Sequence, residues 1–218
     1  MGVTPGKPLA DILAFVARFR SFTEYGPLPP VILAPLRKRM TALAGEIADG
    51  LVFSSGCLSH MRESLGTIPE ARRADPAFFI GNCVRAVISD DAGQAKALLR
   101  QSMKHYALMP NYRNYWKEAG YQEEMTAVES ALADVALWES AAAIRNGLDR
   151  WRDAGIKTPV PVPPAADGSQ ATALSAAAIR NGLDRWRDAG IKTPVPVPPA
   201  ADGSQATALR AVFDGFAD

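Results

Sequence analysis

Residues 31–55 read VILAPLRKRMTALAGEIADGLVFSS and carry the strongest fold signal in the chain. Val31–Ala34 is a short continuous apolar run, which is typical of a strand buried on both faces of a parallel sheet. Helical spacing follows in five apolar residues, Leu36, Met40, Leu43, Ala44 and Ile47. Asp49-Gly50 ends that helix, and the apolar residues Leu51-Val-Phe start a second buried strand that runs to Ser55. The order predicts a βαβ unit with two parallel strands.

The flanking sequence continues the alternation of helices and strands. An amphipathic helix is predicted over residues 8–22, and a third strand over 83–88 within the stretch 78–89. Three further helices are predicted: one opened by Asp90-Asp91, with Ala95, Leu98, Leu99 and Met103 on one side; one from Pro110 to Gly120; and one from Glu124 to Trp138. Short parallel-type strands that alternate with helices indicate an α/β fold.

The C-terminal part of the chain contains an exact tandem repeat. Residues 140–174 and 175–209 are the same 35 residues without one substitution. Helical solenoids need at least three diverged copies, so two identical copies indicate a recent duplication, an engineered insertion or an assembly artefact. The sequence leaves these three origins open. It divides into residues 1–139, copy 1 at 140–174, and copy 2 with a terminal helix at 175–218.

Each copy predicts a helix, a glycine turn and a strand. In copy 1 the apolar stripe consists of Ile144, Leu148 and Trp151, and Gly155 ends the helix. The strand over 156–162 contains two prolines, which lack a backbone N–H, so we expect it at a sheet edge or irregularly paired. The tail of copy 1, residues 169–174, is predicted to join the helix of copy 2 in one long helix that reaches about Ala189.

Composition narrows the function classes. The 218 residues are 48% hydrophobic and 22% charged, with a formal net charge of +1. A phosphate-binding surface for nucleic acid usually needs a clear basic excess, so nucleic acid is not an expected partner. The chain has no apolar run of 18 residues and no apolar signal core near Met1, so neither a membrane span nor export is expected. Two cysteines without ligand spacing fit a cytoplasmic protein with reduced thiols.

Two turns are candidates for binding an anion. Ser54, Ser55 and Gly56 follow a predicted strand and precede a helix, where ligands of α/β sheets and anions bind. The alternative is a tight turn with a helix cap. Pro35-Leu-Arg-Lys-Arg occupies the equivalent place after the first strand, and cations are unfavourable at a helix N-terminus. The clustering of three basic residues at this helix start indicates an anionic neighbour. The alternative is a basic turn that is simply exposed to solvent.

Other reactive residue types give weaker patterns. His60 and His105 lack ligand-spaced companions, so packing histidines are favoured over metal ligands or general bases. Cys57 lies near a helix start but has no partner histidine in its motif. The aromatic residues around Pro110 fit helix packing or, alternatively, the wall of a substrate or cofactor site; they are Tyr106, Tyr112, Tyr115 and Trp116.

Three stretches together resemble luciferase-like monooxygenases, in the order that this family has. They are PPVILAPLRKRMTALAGEIADGLVFSSG at 29–56, CVRAVISDDAGQAKALLRQSMKHYALMPNYRNYWKEAGY at 83–121 and AAAIRNGLDRWRDAGIKTPVPVPP at 141–164. The resemblance implies a (β/α)₈ barrel, of which this chain supplies the C-terminal half with a duplicated helix–strand unit. It also implies deazaflavin coenzyme F-420 or FMN as cofactor, with the F-420-dependent branch the closer one.

The resemblance also implies a cofactor site and two readings of function. Ala34, Pro35, Leu36 and Arg37 would help bind the cofactor's phosphate tail, and Ser54 and Ser55 are a weaker carry-over. No catalytic residue or metal ligand is predicted. The first reading is the C-terminal part of an oxidoreductase or monooxygenase that acts on a small organic substrate, incomplete and inactive alone. The second is a non-catalytic half-barrel that pairs with itself or with a full-length relative.

Overall fold

The computed structural model describes residues 6–121 and 129–162. Within these ranges the strands are β1 (Ile32–Leu33), β2 (Gly50–Ser54), β3 (Phe79–Ile88), β4 (Ala136–Glu139) and β5 (Thr158–Val162). The helices are α1 (Pro8–Arg20), α2 (Lys38–Ile47), α3 (Leu58–Leu65), α4 (Glu70–Ala74), α5 (Ala92–Ala107), α6 (Pro110–Glu118), α7 (Glu129–Val135) and α8 (Ala141–Asp153). No helix among the described residues is long and apolar enough to cross a membrane.

All the strand pairs of the sheet are parallel, as the α/β prediction requires. β1 pairs with β2, and β2 pairs with β3, so β1–α2–β2 is the predicted βαβ unit. The long strand β3 also pairs with β4 and with β5. Since the proline-containing β5 has no other strand partner among the described residues, its predicted edge position is confirmed there.

Residues 136–139 correct the sequence prediction. The helix predicted over 124–138 stops at Val135, and β4 follows immediately. The side chains of β4 alternate between the two faces of the sheet: Leu137 packs with the helix α8, whereas Ala136 and Trp138 join the other hydrophobic cluster. This burial on both faces stabilises a strand where the apolar spacing alone fitted a helix.

Two hydrophobic clusters cover the two faces of the sheet. The first packs β2, alternate residues of β3 (Ile80, Val84 and Ala86) and helices α2, α3 and α8. The second gathers α5, α6 and α7 with Val87 of β3, Ala136 and Trp138. Because side chains of a strand alternate, Cys83 and Arg85 share the face of Val87, opposite the α8 layer.

Copy 1 of the repeat supplies α8 and β5. Ser140 caps α8, accepting a hydrogen bond from the Ala143 amide at 3.2 Å, and Gly155 follows the helix with φ of +102°. Such a φ favours glycine, so the predicted glycine turn is confirmed. The predicted helix over 169–189 and all of copy 2 lie outside the described residues.

Candidate functional site

The candidate site residues lie where β1 and β2 end. Parallel strands end at the same edge of their sheet, which is where ligands of α/β folds bind. Residues 34–37 connect β1 to α2; Ser54 is the last residue of β2, and residues 55–57 connect β2 to α3. The fold therefore brings the two predicted turns to one edge.

In the first turn, two of the three basic residues pair with carboxylates of the protein itself. Ala34 and Arg37 are exposed, Pro35 is buried and Leu36 is partly buried. The Nε of Arg37 donates to Oε1 of Glu118 at 2.7 Å, and this hydrogen bond raises the Arg37 pKa. Lys38 forms an ion pair with Glu63. Two of the anionic neighbours that the sequence pattern indicated are thus side chains from α6 and α3.

The start of α2 still offers backbone donors. The amides of Met40 and Thr41 donate to the Arg37 carbonyl, at 3.0 and 3.1 Å. The amides of Lys38 and Arg39 have no acceptor within the described part of the chain. Two free N–H groups at a helix N-terminus are suited to an oxyanion such as a phosphate.

In the second turn, the amides already have protein acceptors. The Ser55 amide donates to the Cys83 carbonyl at 3.0 Å, the Gly56 amide to Asn82 Oδ1 at 3.2 Å and the Cys57 amide to Tyr115 Oη at 2.8 Å. Ser55 is buried and has φ of +54°, a conformation that a serine rarely adopts. Ser54 is partly buried, and its carbonyl accepts from Tyr112 Oη at 3.3 Å.

A buried carboxylate fixes the start of α3. Asp134, from α7, is 8% exposed and accepts from the amide and the hydroxyl of Ser59, both at 2.7 Å. Tyr121 lies beside it, and burial together with the Asp134 charge raises the pKa of Tyr121 to about 12. An internal anion thus occupies this helix N-terminus. Sequence analysis missed Asp134, whose signal is an acid with apolar residues on both sides within a predicted helix.

A second polar group lies on the sheet face opposite α8. Arg85 Nη2 donates to Tyr106 Oη at 2.9 Å, and its guanidinium carbon is 5.8 Å from the centre of the Tyr106 ring. The rings of Tyr106 and Tyr112 have centroids 4.6 Å apart. Sequence analysis singled out both tyrosines but not Arg85, whose signal is a charge at an alternate position of an apolar strand.

The sequence analysis also considered His60, His105 and Cys57 as reactive residues. Nδ1 of His60 lies 3.0 Å from Glu63 Oε2, while its buried Nε2 has no partner in the described structure. The side chain of His105 is not among those that the structure describes. The described residues contain no group of three His, Cys, Asp or Glu side chains placed to hold a metal. Burial raises the Cys57 pKa, which does not favour a reactive thiolate.

A comparison with protein families finds one match that covers more than half of the chain. The family model described as luciferase-like monooxygenase matches residues 11–158 of this chain. No curated protein matches the chain.

Solved structures add a likeness in fold. An F420-dependent secondary alcohol dehydrogenase, in complex with an F420-acetone adduct, is 13% identical, with a TM-score of 0.51 over 81% of this chain and 50% of that one. A coenzyme F420-dependent tetrahydromethanopterin reductase from Methanopyrus kandleri is 12% identical, with a TM-score of 0.43 over 62% and 45% of the two chains. The chain spans about half the length of these structures.

Proposed function

Because the chain belongs to the luciferase-like monooxygenase family, we propose that it is the C-terminal portion of an oxidoreductase that uses coenzyme F-420 or FMN. The reaction would be hydride transfer or flavin-assisted oxygenation of a small organic substrate. The observation that carries the proposal is the family match over residues 11–158. The solved alcohol dehydrogenase of similar fold, whose ligand is an F420 adduct, favours F-420 over FMN.

The turn at residues 34–37 fits the phosphate of such a cofactor. The amides of Lys38 and Arg39 are free to donate, and Arg39 is exposed beside them. Arg37 is a weaker candidate than its charge indicates, because Glu118 already accepts from it. Ala34 and Leu36 would bound the site. Ser54 would contribute through its hydroxyl, whereas Ser55 is buried.

The protein's own contribution is binding and orientation. When bound, the cofactor ring supplies the redox chemistry. The amides at the start of α2 would bind the phosphate of the cofactor. The turn at Ser54 and Ser55 would position the rest of the cofactor relative to the strand ends. Since the chain spans about half of the structures that it resembles, we expect little catalysis by the isolated chain.

Substituting Lys38 by proline tests the proposed phosphate contact. Proline is tolerated at the first position of a helix, so it removes the Lys38 N–H while preserving α2. Lys38→Ala is the matched control, because it removes the same side chain but keeps the N–H. We expect Lys38→Pro to bind F-420 or FMN about tenfold more weakly than Lys38→Ala in a fluorescence titration, the value of one charge-assisted hydrogen bond. Equal affinities, or no binding by the unaltered chain, would contradict the proposed site.

A second candidate function is a non-catalytic half-barrel that assembles with itself or with a full-length relative. It is favoured by the strands at the edges of the sheet: within the described residues β1 pairs with β2 alone, and β4 and β5 each pair with β3 alone. Ile32, on β1, is 38% exposed. Unpaired strand edges favour pairing with another chain. Light scattering separates the readings, since this one requires a stable dimer or a complex with a relative.

A further inference from the structure

Arg85 places a positive charge on the face of the sheet opposite α8. It lies on β3, the strand that pairs with three others, and its side chain shares a face with Cys83 and Val87. The residue is partly buried. Burying a guanidinium costs free energy unless it has a hydrogen-bonding or ionic partner. The groups around Arg85 therefore indicate which kind of ligand it could bind.

The described surroundings of Arg85 satisfy little of its hydrogen-bonding capacity. A guanidinium has five N–H donors, and one of them bonds to the hydroxyl of Tyr106. No carboxylate of the described residues lies within ion-pair distance of Arg85, in contrast to Arg37, Arg72 and Arg152. The planar fork that remains matches the two oxygens of a carboxylate or a phosphate.

The neighbours of Arg85 are neutral groups that a ligand could contact. Ser54 lies opposite Cys83 in the β2–β3 register, and Tyr112 donates to the Ser54 carbonyl. The charge of Arg85 reaches this group, because it favours the ionised forms of both Cys83 and Tyr112. Burial nevertheless leaves the pKa of each raised, so the group is neutral at pH 7 and Arg85 is its cation.

We propose that the guanidinium of Arg85 binds the oxyanion of the substrate, and that the substrate therefore carries a carboxylate or a phosphate group. This rests on the proposed function for the identity of the ligand as a substrate. The substrate's anion would be bound by Arg85, whereas the cofactor's phosphate would be bound by the amides of Lys38 and Arg39. The two anions would therefore have different binding groups.

Cys83 reports directly on occupancy of this site. It is two residues from Arg85 on the same face and partly exposed, whereas Cys57 is fully buried and serves as an internal reference. The rate of Cys83 alkylation by iodoacetamide is followed by mass spectrometry, without cofactor, in the presence of benzoate, phenyl phosphate or the neutral benzamide. We expect protection by benzoate or by phenyl phosphate, whichever anion the site prefers, and none by benzamide.

Two Arg85 variants and one control complete the experiment. In Arg85→Met the concentration of anion that halves the alkylation rate should rise about tenfold or more, while Arg85→Lys should show an intermediate change because it keeps the charge without the fork. Arg152→Met, which removes an exposed arginine on α8, should behave as the unaltered chain. Each variant is compared with its own rate without ligand, because removing Arg85 also changes the thiol.

The outcomes separate this inference from the proposed function. Protection that needs an anion and is lost in Arg85→Met supports the site even if no cofactor binds. No protection of the unaltered chain by either anion, equal protection by benzamide, or full protection in Arg85→Met overturns it. Cofactor binding that depends on the Lys38 amide would stand in any of these cases, because that titration does not involve Arg85.

Discussion

Replacing Trp151 by alanine is expected to lower the free energy of unfolding by about 3–5 kcal/mol, the usual cost of removing a buried indole. Trp151 is 1% exposed and packs within the cluster that joins α8 to the sheet. Trp186 holds the same position in the identical 35-residue sequence of copy 2 and is therefore a matched control. Since copy 1 supplies α8, we expect Trp186→Ala to change the free energy by less than about 1 kcal/mol. Denaturant unfolding of both variants measures the difference.

A chain that lacks residues 175–209 separates the possible outcomes of that comparison. Its unfolding midpoint should equal or exceed that of the full chain, because the α8 and β5 sequences remain once. Trp151→Ala in this shorter chain should cost the full 3–5 kcal/mol. If Trp151→Ala is costly in the shorter chain but harmless in the full one, copy 2 can replace copy 1, and the assignment of copy 1 as the structural unit is wrong.

The βαβ unit could be predicted from sequence because its signals are local. The strand and helix patterns between residues 31 and 55 do not overlap, and Asp49-Gly50 separates them. β4 could not be predicted in the same way. Residues 129–139 contain no glycine or proline that would separate a helix from a strand, and the switch from helix to strand depends on contacts of Leu137 with α8 and of Trp138 with the other cluster.

The candidate site was predictable only in part, for a related reason. The position of residues 34–37 and 54–55 at strand ends follows from the strand order. Their partners are distant in the chain: Glu118 lies 81 residues from Arg37, and Asp134 lies 75 residues from Ser59. Sequence spacing carries no information on such pairs. It therefore indicated an anionic neighbour for the basic turn but could not identify a carboxylate of the protein itself.

The stability of the fold is expected to fall steeply above about pH 9, because buried groups near α3 resist ionisation. Burial raises the pKa of the Cys57 thiol far above its ordinary value of 9.0, and burial likewise raises that of the Tyr115 hydroxyl, which accepts from the Cys57 amide. Above pH 9 the unfolded chain releases the Cys57 proton while the folded chain keeps it. Stability therefore decreases by about 1.4 kcal/mol per pH unit for each such group once the pH exceeds that group's ordinary pKa, which is 9.0 for the thiol and 10.0 for the hydroxyl.

Cys57→Ser isolates the contribution of the thiol. Serine does not titrate in this range, and each chain is compared with its own stability at pH 7, because a buried hydroxyl there replaces the thiol. Between pH 9 and pH 11 its free energy of unfolding should fall less steeply than that of the unaltered chain, by about 1.4 kcal/mol per pH unit. Cys83→Ser is the control and should alter the slope less, because Cys83 is only partly buried and Arg85 favours its thiolate. Identical slopes for Cys57→Ser and the unaltered chain would show that Cys57 ionises equally in both states, and the thiol would then not account for alkaline unfolding.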